Sequence, residues 1–351
     1  MSKYFSNTAF SYYVTNQNIS VSRLFKETIF VQVRYFFPWL KLREKWKYYG
    51  PIFDAHTHIG NIEDISKMID IEDDFGVKKQ VGIVHNEEGF QKAKNEFPNR
   101  FIFAKYLSLS DIARYNVKPV LDEISRLKAE GYSIAKMWFG PRWRDYYEVP
   151  KHFQIDHQEL EPIFQALDDN GIPLIIHVGD PDTYYNTHYK DSEKYGTKNG
   201  HLDELKHVIS RHPRLKFQIP HFGSQPEINR LPNLEDWMIN FPNIVVDTAS
   251  SRWMARELSK SVKKARRFIT KYSDRIIFGT DISSSKAEHD YFSGRYIAQR
   301  ILWDTGERNI PLPFPDADTE DIGGTFINGL DLPLSVLEKL YWENANRFYK
   351  E

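Results

Sequence analysis

Eight short apolar runs alternate with longer amphipathic stretches from residue 52 onward. This alternation is typical of repeated βα units, in which each strand is followed by a helix. The eight runs occupy residues 52–60, 79–85, 101–109, 133–140, 173–180, 215–223, 243–250 and 275–283. Eight strands, each followed by a crossover, predict an α/β fold of the (β/α)₈ or TIM-barrel type. A doubly wound open sheet is the alternative, but it would not bring the ends of the first, middle and last strands together.

The segments between and after the runs support this interpretation. Residues 117–130 and 157–170 are predicted helices, because each is followed by a glycine that suits a left-handed helix cap. Beyond the eighth run, a long insert over residues 287–330 precedes a final helix predicted over residues 333–349. The loop after the eighth strand opens at the catalytic face of a barrel, so part of the insert is expected to cover the site. A rigid surface cover is the alternative, since residues 310–315 contain three prolines.

Residues 1–50 differ in character from the barrel domain predicted over residues 51–351. Residues 21–50 contain seven lysines and arginines against two glutamates, with nine aromatic residues interleaved. We expect this basic, aromatic N-terminal extension to pack on its own barrel or on a twin subunit, which would make the protein a homo-oligomer. An anionic membrane surface is the alternative partner, because basic segments with aromatic side chains bind there.

Composition restricts the partners and the metal chemistry. The formal net charge of −1 over 351 residues gives no electrostatic reason to expect a nucleic-acid partner. The chain has no cysteine, so a metal would have to be held by histidine and carboxylate side chains. No apolar run reaches the roughly 18 residues that a transmembrane segment needs, and the polar start lacks the apolar core of a secretory signal. We therefore expect a cytoplasmic protein.

The first run carries two histidines two residues apart, His56 and His58. In an extended strand, residues i and i+2 point to the same face and lie about 7 Å apart, close enough for two imidazoles to converge on one metal ion. Asp54 is predicted on the same face, one pleat lower, where it would support a ligand rather than bind the metal. Two unrelated histidines near a strand end are the alternative, so the remaining ligands must come from other strands.

Polar side chains stand at the carboxyl ends of four later runs, which is where the functional residues of a barrel lie. They are Lys136 on the fourth run, His177 on the fifth, His221 on the sixth and Asp281 on the eighth. Three imidazoles and one carboxylate make a suitable ligand set for one Zn²⁺, with room left for water or substrate. Mn²⁺ and Fe²⁺ accept the same donors and are the alternatives.

The order of these motifs resembles the amidohydrolase superfamily, and within it amidohydrolase family 2. The matching segments are DAHTH at residues 54–58, IHVGDP at 176–181, HPRLKF at 212–217, PHFG at 220–223, FPNIVVDT at 241–248, DRIIFGTD at 274–281 and YWENANR at 341–347. The resemblance extends from residue 51 to the end of the sequence and excludes residues 1–50. It implies a deformed (β/α)₈ barrel and a divalent metal, with hydrolysis as the commonest activity and decarboxylation in one branch.

The resemblance also implies roles for individual residues. His56, His58 and His177 would hold the metal. Asp281 would be a further ligand and the base that orients or deprotonates a metal-bound water, whose pKa a metal can lower to about 7. His221 would polarise the substrate carbonyl or stabilise the developing oxyanion.

Lys136 is open to two interpretations. Family members with two metals bridge them with a carboxylated lysine on the fourth strand, but the neighbours Met137 and Trp138 do not match that branch, so we expect a single metal. Otherwise Lys136 is a charged residue at the mouth of the pocket or in an internal ion pair. We group it with Trp138, Arg142 and Arg252 as candidates for substrate binding, because arginine forks suit carboxylates and indole faces suit planar rings.

The sequence therefore predicts a metal-dependent hydrolase that attacks an amide, a lactone or a related acyl bond of a small organic substrate with a metal-activated water. A metal-dependent, non-oxidative decarboxylase of a small carboxylic acid is the alternative, because the same ligands could hold an acidic substrate instead of making hydroxide. A barrel that binds metal and ligand without turnover is disfavoured, since both Asp281 and His221 are present.

Overall fold

The computed structural model describes residues 42–285, 289–319 and 322–350, with the side chains of residues 289–291 excepted. Most of the predicted extension, residues 1–41, lies outside this part of the chain. The expectation that the extension packs on the barrel or on a twin subunit therefore stays a prediction for those residues. Among the described residues, no helix is long and apolar enough to cross a membrane.

Nine strands form one curled sheet, and together they account for all eight predicted runs. The strands are β1 (Ile52–Ile59), β2 (Val77–Val84), β3 (Phe101–Tyr106), β4 (Ile134–Trp138), β5 (Leu174–His177), β6 (Phe217–Ile219), β7 (Ile244–Asp247), β8 (Ile276–Ile277) and β9 (Ile282–Ser283). They pair in parallel in the order β8-β7-β6-β5-β4-β3-β2-β1-β9. Strands β8 and β9 both belong to the eighth predicted run, which is broken between them. The predicted α/β fold of successive βα units is therefore confirmed.

The broken eighth run joins the two ends of the sheet. On one side β8 pairs with β7, and on the other side β9 pairs with β1. Between these short strands, the carbonyl of Phe278 accepts a hydrogen bond from the amide of Ala55 at 2.8 Å, and the amide of Asp281 donates to the carbonyl of His56 at 2.9 Å. Residues 276–284 are thus held by β7 and by β1, as the predicted barrel requires.

Helices on the outside of the sheet return the chain from one strand to the next. They are α1 (Ile65–Asp74), α2 (Glu87–Glu96), α3 (Leu109–Ala113), α4 (Val117–Glu130), α5 (Glu161–Asp169), α6 (Asp182–Thr187), α7 (Ser192–Tyr195), α8 (Lys198–Arg211), α9 (Leu231–Asn240), α10 (Ser251–Leu258), α11 (Val262–Lys271), α12 (His289–Asp304), α13 (Leu334–Glu338) and α14 (Asn344–Phe348). A π-helical turn, Lys339–Glu343, joins α13 and α14 into one C-terminal helix, as predicted. Gly131 ends α4 with a left-handed φ of 98°, also as predicted.

A β-bulge in β1 decides which side chains face the interior of the barrel. The pairing register with β2 shifts between Asp54 and Thr57, so that β1 carries one extra residue there. His56 and His58 consequently line the inside of the barrel mouth. Asp54 points outward to α12 instead, where its carboxylate accepts a hydrogen bond from the hydroxyl of Tyr296 at 2.7 Å. The prediction that Asp54 shares a face with the two histidines is therefore wrong.

The interior of the barrel is an apolar core of its own. Its buried side chains are Phe53, Ala55, Val81, Ile83, Ala104, Ile134, Ile175, Val245 and Ile277 from the strands, and Ala345 from the C-terminal helix. The rings of Trp342 and Tyr349 lie 6.2 and 6.0 Å from that of Phe53, near the start of β1. The C-terminal helix therefore closes the amino end of the barrel and leaves the carboxyl end open.

The described end of the extension packs on the barrel. Trp46 and Tyr48 are buried. The backbone amides of Lys47 and Tyr48 both donate to Oδ1 of Asp304 on α12, each at 3.1 Å. These contacts anchor the chain immediately before β1.

The insert after β9 is only partly a helix. It contains α12 and an antiparallel pair of short strands, β10 (Ile310–Pro311) and β11 (Phe326–Ile327). Asp316, which lies between these strands, is buried and 3.1 Å from the guanidinium of Arg256 on α10. This ion pair fastens the insert to the helix layer.

Candidate metal centre

His56, His58 and Asp281 form one group at the carboxyl edge of the sheet. Each offers one ligand atom, and these atoms lie within 4.8 Å of one another. Nε2 of His58 lies 3.2 Å, and Nε2 of His56 3.6 Å, from the same oxygen, Oδ1 of Asp281. Two imidazole nitrogens and a carboxylate oxygen are donors that Zn²⁺, Mn²⁺ and Fe²⁺ accept. The group therefore fits a divalent metal ion.

Asp281 lies in the break between β8 and β9 and has a left-handed backbone, with φ of 61°. This conformation costs a residue other than glycine roughly 1–2 kcal/mol, so its surroundings must hold it. Arg295 of α12 donates a hydrogen bond to the carbonyl of Asp281 at 3.2 Å. Burial alone would raise the pKa of Asp281, but the hydrogen bond with His58 and the nearby imidazoles of His56 and His221 lower that pKa well below its usual range. The carboxylate is therefore ionised at neutral pH.

Asp247, the last residue of β7, fixes the orientation of His56. Its Oδ2 lies 2.9 Å from Nδ1 of His56, and its Oδ1 accepts hydrogen bonds from the amides of His221 (3.0 Å) and Ala249 (2.9 Å). Burial would raise the pKa of Asp247, but the neighbouring imidazole of His56 outweighs it, and that pKa is lowered to about 2. Because the ionised carboxylate accepts a hydrogen bond from Nδ1–H, the lone pair of His56 is on Nε2, the atom that faces Asp281.

The ring of His58 is fixed through Nδ1, the nitrogen that does not face Asp281. Nδ1 of His58 lies 2.8 Å from Nε2 of His85, which follows β2. Burial lowers the pKa of His58 to about 3. The imidazole is therefore neutral at pH 7 and can offer Nε2 to a cation.

His221 is presented by a turn of unusual backbone. His221, Phe222, Gly223 and Ser224 all have left-handed φ values, of 56°, 58°, 68° and 58°. The amide of Ser224 closes this turn by donating to the carbonyl of Pro220 at 2.9 Å. Burial and the neighbouring His177 lower the pKa of His221 to about 3, so its imidazole is neutral. Strain of this kind persists where the surroundings over-determine the backbone, as at functional sites.

His177 lies beside the three-residue group and is not part of it. Its Nδ1 is 3.1 Å from Nε2 of His221, and its Nε2 is 3.0 Å from Oδ1 of Asp180. The other oxygen of Asp180 accepts a hydrogen bond from the hydroxyl of Tyr189 at 2.6 Å. Both ring nitrogens of His177 are therefore engaged, and its role as a metal ligand stays a prediction.

These side chains form the floor of a cleft of about 880 Å³. The cleft is lined by every predicted metal-binding or catalytic residue, namely His56, His58, His177, His221 and Asp281. Of the predicted substrate-binding residues, Lys136, Trp138 and Arg142 line it. Arg252 does not, but its guanidinium donates to the hydroxyl of Tyr184 (3.0 Å), which does. No described residue of the insert lines the cleft, which favours a surface cover over a roof for that part of the chain.

The walls of the cleft carry aromatic rings and two lysines, one paired with a carboxylate and one without such a partner among the described residues. The rings belong to Tyr106, Tyr132, Trp138, Tyr147, Tyr184, Tyr189 and Trp253. Lys105 is paired with Glu130 at 2.7 Å. Lys136, by contrast, is only 1% exposed and has no carboxylate within 4.0 Å among the described residues. Burial lowers the pKa of Lys136 to about 8, although Asp247 and Asp281 raise it, so this lysine is still mostly charged at pH 7.

The sequence does not single out two residues of the site. Asp247 ends the seventh run, so the strand-end rule that identifies Asp281 could also have found it. Asp180 precedes a proline, where an aspartate is more often a turn residue than a partner of a buried histidine.

Parallel βα units with a histidine–carboxylate group at their carboxyl edge define a TIM-barrel protein with a candidate metal centre. A family model described as Amidohydrolase matches residues 119–350, which is about two thirds of the chain. The protein therefore belongs to this amidohydrolase family, and the resemblance seen in the motifs is confirmed. The matched range contains His177, His221 and Asp281 but begins after His56 and His58. No curated protein matches the chain.

Solved structures share the fold at low sequence identity. One is a 2,6-dihydroxybenzoate decarboxylase complexed with 2,6-dihydroxybenzoate, with a TM-score of 0.52, 12% identity and coverage of 86% of this chain and 100% of the other. Another is a 5-carboxyvanillate decarboxylase from Novosphingobium aromaticivorans, complexed with manganese and 4-hydroxy-3-methoxy-5-nitrobenzoic acid. It has a TM-score of 0.50, 14% identity and coverage of 88% of this chain and 97% of the other. This likeness establishes a common fold.

Proposed function

We propose that the protein is a metal-dependent, non-oxidative decarboxylase of a small aromatic carboxylic acid. Lys136 carries the proposal, because it places a buried ammonium group on the cleft wall without a carboxylate partner among the described residues. An unpaired buried cation is costly, and a substrate carboxylate would supply its missing partner. The surrounding rings, such as those of Trp138 and Tyr106, suit a planar substrate. Both solved structures named above are decarboxylases of aromatic acids, which supports the same choice.

The metal would be held by His56, His58 and Asp281. His177 would become a fourth ligand if its Nε2 turned from Asp180 toward the ion. We propose a single Zn²⁺, with Mn²⁺ and Fe²⁺ as alternatives, because these donors do not discriminate strongly among the three. When bound, the ion would supply positive charge to oxygen atoms of the substrate.

Different side chains of the cleft would serve the individual steps of the reaction. Decarboxylation breaks the bond between the ring carbon and the carboxylate, releases CO₂ and leaves the bonding electrons on the ring carbon, which takes up one proton. Lys136 would bind the carboxylate, and Trp138 would orient the ring. Water would supply that proton: the ionised carboxylate of Asp281, on the cleft floor, would accept it and pass it to the carbon, next to the neutral imidazole of His221.

A metal-dependent hydrolase is the second candidate. The ionised carboxylate of Asp281 could accept a proton from water beside His56 and His58, and His221 could stabilise an oxyanion. Hydrolysis, however, cleaves an uncharged acyl bond, so its substrate would leave Lys136 without a charged partner. For that reason hydrolysis ranks below decarboxylation.

A matched substrate panel separates these two reactions. Protein loaded in turn with Zn²⁺, Mn²⁺ or Fe²⁺ is given hydroxylated benzoic acids, together with amides and lactones built on the same rings. Release of CO₂ from the acids is the expected result. Base consumption on the amides or lactones, with no CO₂ from the acids, would replace the decarboxylase with the hydrolase. Absence of both signals from metal-loaded protein would contradict both.

Two sets of variants test the assigned residues. The double change His56→Ala and His58→Ala should remove the metal, and full metal occupancy by elemental analysis would refute that assignment. Lys136→Met should keep the metal but lower kcat/KM for the acids by roughly 10- to 100-fold, the scale of one hydrogen bond to a charged group. Lys105→Met is the matched control, because Lys105 lines the same cleft but is already paired with Glu130, and it should have a much smaller effect.

A further inference from the structure

Polar side chains cross the apolar interior of the barrel. Gln218 of β6 and Asp247 of β7 are both fully buried. Tyr349, which follows α14, packs against the inner core from the amino end of the barrel. An amide and a carboxylate in an apolar interior cost free energy unless their polar atoms have partners. The partners therefore show what these residues hold in place.

Each of these side chains is hydrogen-bonded to the next. The hydroxyl of Tyr349 donates to Oε1 of Gln218. Nε2 of Gln218 donates to Oδ2 of Asp247 at 2.5 Å and to the carbonyl of Ala55 at 3.0 Å. The same oxygen of Asp247 accepts the Nδ1 proton of His56 at 2.9 Å. This polar column, Tyr349–Gln218–Asp247–His56, runs from the closed end of the barrel to the candidate metal centre.

We propose that Tyr349 and Gln218 are positioning residues for the metal centre. The Tyr349 hydroxyl donates to Oε1 of the Gln218 amide, while Asp247 and the carbonyl of Ala55 accept from its Nε2, so three contacts fix the amide. Without that hydroxyl, Oε1 becomes a buried acceptor without its partner, and the amide moves to regain one. Asp247 then shifts, and His56 loses the contact that fixes its ring. The proposal rests on the metal centre of the proposed function and does not depend on the reaction that the centre catalyses.

The test compares two tyrosines of the C-terminal helix and its end, Tyr341 and Tyr349. Tyr349→Phe removes the hydroxyl of the polar column and keeps the ring. Tyr341→Phe is the matched control, because Tyr341 is buried in the C-terminal helix and donates to Asp304 at 2.6 Å, outside the column. Dissociation constants for Mn²⁺ and Zn²⁺ are measured on the full chain by competition with a chromogenic chelator, and circular dichroism checks the fold of each variant.

Tyr349→Phe should weaken metal binding by about tenfold, the lower end of the range for residues that orient a metal ligand. Tyr341→Phe should stay within about twofold of wild type. Gln218→Met should weaken binding at least as much as Tyr349→Phe, and combining the two changes should add little, since both interrupt one column.

Two results would overturn this proposal. One is a Tyr349→Phe protein with wild-type metal affinity, and the other is an equal loss of affinity in Tyr341→Phe. A wild-type protein that binds neither ion would overturn it together with the metal centre. Tight metal binding without CO₂ release would overturn only the proposed reaction, so the two failures are distinguishable.

Discussion

Replacing Lys136 with methionine should make the metal-free protein more stable. Burial lowers the pKa of Lys136 from 10.5 to about 8. One pKa unit corresponds to about 1.4 kcal/mol, so keeping this ammonium inside the folded protein costs roughly 3 kcal/mol at pH 7. Methionine has a similar shape and no charge, and it should therefore raise the free energy of unfolding by up to that amount. A residue whose removal stabilises the fold is one that the fold retains for another purpose.

The pKa of Lys136 also sets how this gain depends on pH. Because the pKa in the folded protein lies below that in the unfolded chain, the unfolded chain binds the proton more tightly. The cost is therefore complete below about pH 8 and disappears as the pH rises toward 10.5. The stability difference between Lys136→Met and wild type should be largest near pH 7 and shrink above pH 8. Urea and thermal unfolding of the metal-free proteins at a series of pH values measure it.

Lys105→Met again serves as the control. Lys105 is partly exposed and paired with Glu130, so its removal should not stabilise the protein. The reasoning is refuted if Lys136→Met is no more stable than wild type at pH 7. A gain that stays constant from pH 7 to pH 10 would refute it as well, because the gain would then not come from the ammonium.

Three further predictions concern the site, a helix cap and the N-terminal extension. Asp281→Asn should retain much of the metal through the histidines but lose turnover, because asparagine cannot carry the proton; near-wild-type CO₂ release would contradict this. Gly131→Ala should lower the free energy of unfolding by about 1 kcal/mol, since its φ of 98° is unfavourable for alanine, and thermal unfolding will show it. Deletion of residues 1–48 should leave the metal in place but lower the melting temperature by exposing the surface that Tyr48 covers. Light scattering on this deletion tests whether the extension also controls oligomeric state.

The strands could be predicted because parallel strands are buried on both faces and therefore appear as apolar runs. Their shared direction brings their carboxyl ends together, so a list of strand ends already contains His56, His177, His221 and Asp281. The chemistry of the site follows from topology to that extent. Lys136 is also found by this rule, but only the structure shows that no described carboxylate pairs with it.

The side-chain directions could not be predicted in the same way. Strict alternation along β1 places Asp54 with His56, but the bulge in β1 reverses this, and a bulge depends on pairing with β2 rather than on the β1 sequence alone. Likewise, the ring of His177 is turned by Asp180, and that of His56 by Asp247. The contact of His56 joins two strands that are distant in sequence, and the contact of His177 depends on local side-chain torsions. No hydrophobic pattern encodes either of them.

The closure of the barrel through residues 276–284 has a consequence for the order in which the protein matures. His58 and Asp281 are 223 residues apart in the chain. During synthesis, the histidine pair leaves the ribosome long before Asp281 does, and contacts over such separations are among the slowest to form. A partly made chain can therefore offer a metal its histidines but not the carboxylate of Asp281. Under the proposed function, tight metal binding is accordingly expected only of the finished barrel, after its first and last strands have met.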